Sequence, residues 1–140
     1  MAEGIETLIR LNDWNVDQKR RKLGDLQRLI EGFEAELKKL EQDLLNEQAA
    51  ATAAPNEGGF VYGYYAERVI ERRAIIQISI QQLEKDTDEA REALSVAYRE
   101  LKKFETALES RKLRQELELA RKDQLDLDEV GIQTFIQKLS

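Results

Sequence analysis

The sequence of 140 residues contains no cysteine and no histidine. Their absence excludes thiol nucleophiles, disulfides, Cys/His metal sites and histidine acid–base chemistry. The phosphate-binding G-x-x-x-x-G-K motif, the H-E-x-x-H motif and the G-x-S-x-G motif are also missing. Carboxylate pairs such as Asp86 and Glu89 are typical of a solvated face. The sequence therefore predicts a protein that is not an enzyme and binds no cofactor, metal ion or small-molecule substrate.

Residues that form loops and membrane segments are also scarce. The chain has one proline and 6% aromatic residues, against 36% charged residues. No stretch approaches the ~18 apolar residues of a membrane span, and the N-terminus lacks the basic and apolar regions of a signal peptide. The net charge of −6 argues against nucleic acid as a partner. This composition predicts long helices in a coiled coil.

Apolar residues recur with heptad spacing in two segments of the chain, which places them along one stripe of each helix. Thr87 is the only polar residue at a stripe position between Ile80 and Leu108. We predict that the two stripes form the seam of a coiled coil. The seam residues are Leu23, Leu26, Ile30, Phe33, Leu37, Leu40 and Leu44 in the first segment, and Ile76, Ile80, Leu83, Leu94, Leu101, Phe104 and Leu108 in the second.

Residues 55–65 (PNEGGFVYGYY) separate the two segments. The heptads fit either a parallel oligomer of one continuous helix or a single chain that folds back on itself. Pro55 followed by Gly58 and Gly59 breaks a continuous helix, which favours folding back. We therefore predict an all-α fold, an antiparallel two-helix coiled-coil hairpin in a single domain over residues 1–140. Its parts are helix 1 at about 5–51, a turn at about 52–61, a longer helix 2 at about 62–129 and a short tail at 130–140, with Gly131 as the helix stop.

The heptads also predict which residues face each other. If the numbers of opposing residues sum to 113, every a position meets a d position, and Leu37 faces Ile76. A slip of one heptad, to 120, would place Ile9 opposite Arg111 and leave Ile5 without an apolar residue opposite it. At 113, helix 2 extends about 30 Å beyond helix 1. This extension begins a new apolar stripe at Leu113, Leu117, Ala120 and Leu127.

The extension and the tail are candidate partner-binding elements, with Leu113 and Leu117 on the first and Phe135 and Ile136 on the second. Apolar residues at this spacing are typical of a helix that docks in a groove. Self-association and a disordered tail are the alternatives.

Two further groups of residues are candidate binding sites. The basic run Lys19, Arg20, Arg21 and Lys22 suits an acidic protein partner or an anionic membrane surface, and the alternative is an ordinary solvated face. Tyr62 and Tyr65 either pack the turn or form a docking tip.

The segment TLIRLNDWNVDQKRRKLGDL (residues 7–26) resembles the opening of the flagellar export protein FliJ family in its alphaproteobacterial style. The matching residues are Leu8 to Leu11, Val16, Asp17 and Lys19 to Arg21. The later segments FVYGYYAERVIERRA, ELKKFE and KDQLDLDE are similar in layout, so the resemblance covers nearly the whole chain.

This resemblance implies a component of the flagellar type III export apparatus that takes part in motility and chemotaxis. The implied partners are the hexameric export ATPase, for which family members resemble a central stalk, the export-gate membrane protein and the export chaperones. The implied location is the cytoplasmic face of the inner membrane at the flagellar base. A generic cytoplasmic coiled-coil adaptor or scaffold outside secretion is the alternative.

Overall fold

A computed structural model describes residues 2–53 and 55–139, and the side chains of residues 4–53 and 62–139. Two α-helices account for these residues, with no strand among them: α1 (Ala2–Ala53, 52 residues) and α2 (Pro55–Leu139, 85 residues). The predicted all-α hairpin with a longer second helix is confirmed.

The helices are longer than the sequence predicted, because the structure differs at both predicted breaks. Helix α1 continues to Ala53 and α2 begins at Pro55, so Gly58 and Gly59 lie in α2 and not in a turn. Proline suits the first position of a helix, where its missing N–H has no partner to lose. Ala54, inside the predicted turn, lies outside the described residues.

The predicted stop at Gly131 is also wrong, since α2 passes through it to Leu139. A glycine ends a helix by adopting a positive φ, and no glycine among the described residues does so. Glycine in a helix interior costs only about 1 kcal/mol relative to alanine. Side-chain bonds four residues apart support the helix on both sides, from Gln124 to Asp128 (3.1 Å) and from Thr134 to the carbonyl of Val130 (2.8 Å).

The chain divides into two compact units, which we describe separately. The hairpin unit is Val16–Val96, and the terminal unit joins Met1–Asn15 to Ala97–Ser140. The single domain inferred from the sequence stays a prediction.

The core of the hairpin unit is a thin seam between α1 and α2. Ile76 is completely buried, and Val16, Val69 and Ala90 are nearly so. Thr87, the polar residue in the stripe, is also buried, and its hydroxyl donates a 2.7 Å hydrogen bond to the carbonyl of Leu83. This bond within α2 satisfies the hydroxyl, so threonine is tolerated at a seam position.

Ion pairs and shared grooves in the hairpin unit establish that α1 and α2 run antiparallel. Arg72 donates to Glu36 at 2.9 Å, and Arg73 lies 3.3 Å from Glu41. The residue numbers of the first pair sum to 108 and those of the second to 114, on either side of the predicted 113. Toward the start of α1, Ile30 lines one groove with Thr87.

In the terminal unit, apolar residues of both helices are again covered. Ile5 and Ile9 are half-buried, and Ala97 and Leu101 on α2 are buried. Across both units, none of the fourteen predicted seam residues is exposed. Burial ends at Arg111, which is half-buried, and every described residue from 112 to 139 is exposed.

Candidate protein-interaction surfaces

The basic run on α1 does not form one surface, because its four side chains point in different directions. Lys19 and Lys22, three residues apart, line a groove with Leu26, and across it lie Asp86 and Glu89 of α2. Opposite charges that flank a coiled-coil seam in this way help to fix the pairing of the helices. Lys19 is half-buried in this groove, whereas Lys22 is exposed.

The two arginines of the run are exposed. Arg21 pairs with Asp17 one turn earlier at 3.1 Å, and both side chains are largely open to solvent. Such a pair contributes little to stability, so Arg21 stays accessible to an acidic partner. Arg20 is exposed as well and has an electrostatic or hydrogen-bonding partner within the chain.

The tyrosines near the start of α2 divide between packing and exposure. Tyr62 and Tyr65 are half-buried, whereas Tyr64 is exposed. Burial raises the pKa of the Tyr65 phenol, and the carboxylates of Asp43 and Glu47 on α1 raise it further. A tyrosine phenol is already neutral at pH 7, and the raised pKa extends its neutral form to more alkaline pH. Tyr65 thus packs against α1, and Tyr64 is the more accessible ring.

Residues 112–139, which we call the C-terminal segment of α2, are the largest uncovered part of the described chain. This segment continues for about 40 Å with all its side chains exposed. Its large apolar residues are exposed by 57% or more. Single exposed apolar residues are common on proteins, but a continuous series marks an interaction site. The exposed apolar residues are Leu113, Leu117, Leu119, Leu125, Leu127, Val130, Ile132, Phe135, Ile136 and Leu139.

The four site residues predicted in this segment do not all share a face. Leu113, Leu117 and Phe135 lie within about 40° of each other around α2, because residues 18 apart return to the same side of a helix. Ile136 is turned about 100° from Phe135, toward Ile132 and Leu139. The tail therefore adds one residue, Phe135, to the line of Leu113 and Leu117, and provides a second apolar face beside it.

Sequence reasoning missed two exposed apolar groups. Ile70, Ile75 and Ile78 on α2 are 54–67% exposed, and Leu8, Leu11 and Trp14 on α1 are 40–60% exposed. Both groups occupy positions outside the heptad seam. Large apolar residues outside the seam could have indicated these groups in the sequence. The heptad pattern indicates only the residues at seam positions.

The structure does not bring the predicted site residues into one cluster. Within the hairpin unit, the basic run lies beside Asp86 and Glu89, whereas Tyr65 lies beside Asp43 and Glu47, about 30 Å further along α1. The groove-facing lysines and the exposed C-terminal segment belong to different units. Among the described residues no group of three or more Asp and Glu side chains is arranged to hold a metal ion. The candidate sites are thus separate surfaces of the two helices.

Comparison with known proteins points to one family. The family model described as "Flagellar FliJ protein" matches residues 1–140. Two curated proteins named "Flagellar FliJ protein", from Caulobacter vibrioides strains NA1000 and CB 15, are each 26% identical to the chain over 132 residues, which is 94% of either sequence. No solved structure matches the chain.

Proposed function

The chain belongs to the family of flagellar FliJ proteins, and we propose that it serves flagellar type III export as a stalk-like, non-enzymatic partner of the hexameric export ATPase. In this proposal it also contacts the export gate and escorts export chaperones. The name of the family supports a flagellar role, and the finer assignments rest on the resemblance of residues 7–26 and on the exposed surfaces of the helices.

The observation that carries the ATPase assignment is the exposed C-terminal segment of α2. Residues 112–139 have no covering helix in the described chain, although Leu113, Leu117 and Phe135 share one side. A helix that presents an apolar line is suited to insertion between other protein elements. A stalk that inserts into a ring of subunits requires a helix of this kind.

The export gate and the chaperones need surfaces that the ATPase leaves free. The exposed isoleucines Ile70, Ile75 and Ile78 and the tyrosine Tyr64 supply one on the hairpin unit. No helix among the described residues is long and apolar enough to cross a membrane. In our proposal the chain reaches the cytoplasmic face of the inner membrane at the flagellar base by binding the gate.

Two leucines that are two residues apart provide the test of ATPase binding. Leu117 and Leu119 are equally exposed, at 62% and 61%, but point to nearly opposite sides of α2. We expect Leu117→Asp to weaken binding of the purified export ATPase by about tenfold or more, since it places a charge in an apolar contact. Leu119→Asp, the matched control, adds the same charge and is expected to change the affinity by less than about threefold.

Binding is measured by isothermal titration calorimetry, with circular dichroism to check that both variants stay helical. Equal loss in the two variants would contradict docking through the Leu117 side. Absence of any binding by the unmodified chain, together with normal motility of a strain that lacks it, would favour a coiled-coil adaptor outside export.

A further inference from the structure

The apolar line that begins at Leu113 points away from the seam with α1. In the terminal unit, Ala97 and Leu101 on α2 are buried on the α1 side. At 100° per residue, Leu113 and Leu117 lie about 140° and 180° around α2 from the middle of this pair, and Leu127 lies about 100° from it. A second helix can therefore lie along this line without displacing α1.

Heptad positions continue through this part of α2 in a new frame. Leu113, Ala120 and Leu127 take position d, and Leu117 takes position a. Position a also falls on Ser110 and Gln124, at the two ends of the line. The frame is that of a two-stranded coiled coil, with about two heptads of mainly apolar contacts.

The charges beside the apolar line match those of a second copy of the same chain in parallel orientation. Position g carries Glu109 and Glu116, and position e carries Arg114 and Arg121. In a parallel coiled coil, a g residue approaches the e residue five positions later in the other helix. Glu109 then faces Arg114 of the second copy and Glu116 faces Arg121. The twofold axis repeats both pairs, so four ion pairs of opposite sign flank the contact.

An antiparallel arrangement of two copies is disfavoured by the same charges. It places position g of one helix against position g of the other, where Glu109, Glu116 and Asp123 are all acidic. Facing like charges cost free energy and suppress the wrong orientation. The sequence is thus self-complementary in the parallel orientation.

We propose that two copies of this chain associate through a parallel coiled coil over residues 109–127 of α2. The contact is short, which makes the association weak and concentration-dependent. At the C-terminal end of the contact, Asp123 of one copy faces Asp128 of the other. Repulsion between these two carboxylates limits the contact there. The proposal concerns the chain alone; because Leu113 and Leu117 are also the proposed ATPase contact, the dimer and the ATPase compete for this apolar line.

Disulfide trapping tests the orientation, since the chain has no cysteine of its own. In the parallel dimer the two Ser110 residues face each other within the Cα separation that a disulfide requires, whereas an antiparallel dimer separates them by well over a turn. We expect Ser110→Cys to cross-link under mild oxidation several times faster than Gln115→Cys. Both positions are exposed, and Gln115 lies on the far side of the helix. Equal rates for the two variants would overturn the proposal.

Charge variants test the pairing by sedimentation equilibrium of the full chain at high protein concentration. Glu116→Lys and Arg121→Glu each replace two attractive pairs by repulsive ones, so each is expected to weaken dimerisation by about tenfold. A mixture of the two variants restores opposite charges at both of these sites and is expected to associate more tightly than either alone. Asp128→Lys replaces repulsion of Asp123 by attraction and should strengthen the dimer by a similar factor.

Circular dichroism shows whether each variant remains helical, and all of these side chains are exposed in the single chain. A chain that stays monomeric in both its unmodified and Asp128→Lys forms would refute the dimer. An unchanged dimerisation constant in Glu116→Lys would refute the proposed pairing.

Discussion

Two adjacent isoleucines mark the boundary between the seam and the solvent in the hairpin unit. Ile76 is 0% exposed, whereas Ile75 is 54% exposed. The residues have the same chemistry and the same position along α2, so they differ only in what surrounds them. Comparison of the two separates the contribution of burial from that of helix propensity.

Truncation of these isoleucines should therefore have unequal effects on stability. We expect Ile76→Ala to lower the free energy of unfolding by about 2–5 kcal/mol, because it removes buried methyl groups and leaves a cavity. Ile75→Ala should change it by less than about 0.5 kcal/mol, as is usual for surface substitutions. Urea denaturation followed by circular dichroism measures both values. Similar losses in the two variants would show that the seam does not follow the heptad assignment.

Burial at the residue scale was well anticipated where the heptad pattern is strong. Ile76, Leu101 and the other seam residues lie at spacings that only one side of each helix satisfies. The direction of individual charges was not anticipated. Lys19 and Lys22 face Asp86 and Glu89 because α2 lies beside them, and a run of four basic letters does not reveal which of its members face another helix.

At the scale of elements, the difference between sequence and structure concerns where helices end. Pro55 was predicted to lie in the turn and is instead the first residue of α2, and Gly58, Gly59 and Gly131, which were interpreted as breaks, lie within α2. A glycine reduces helix stability without ending the helix unless a capping geometry is available. The free-energy cost of a glycine in a helix can be estimated from the sequence. The hydrogen bonds of the surrounding turns, which outweigh that cost, cannot.

Gly131 provides a direct test of this explanation. A Cβ added at Gly131 would meet no atom within 4 Å, and no described glycine has a positive φ. We expect Gly131→Ala to stabilise the C-terminal segment of α2 by up to about 1 kcal/mol, because alanine loses less backbone entropy in a helix. Hydrogen exchange of the amides of residues 128–135 is the appropriate measurement, since the segment can open locally without global unfolding.

Gly131→Pro is the matched opposite change. Proline in a helix interior costs about 3 kcal/mol, so exchange of the same amides should accelerate. If Gly131→Ala instead accelerated exchange, residue 131 would have a positive φ in solution and the predicted helix stop would be reinstated.

At the scale of the whole molecule, stability and recognition draw on different residues of α2. Every buried residue of the described chain lies between Val16 and Leu101, and the last half-buried one is Arg111. The C-terminal segment buries nothing in the single chain, yet presents the longest apolar series. The heptad register correctly predicted that α2 extends beyond the end of α1. It did not predict the full length of α2, because the helix continues through Gly131.

A chain that ends at Lys112 separates the two roles. Because residues 113–139 are exposed and contribute no buried contact, we expect the midpoint of thermal unfolding to change by no more than about 4 °C. Helical ellipticity per molecule should fall in proportion to the residues removed, and ATPase binding should be lost. A large fall in the unfolding midpoint would mean that the segment folds back on another part of the chain. Retained ATPase binding would mean that the ATPase contacts another surface, for which the exposed isoleucines around Ile75 and the group around Trp14 are the next candidates to substitute.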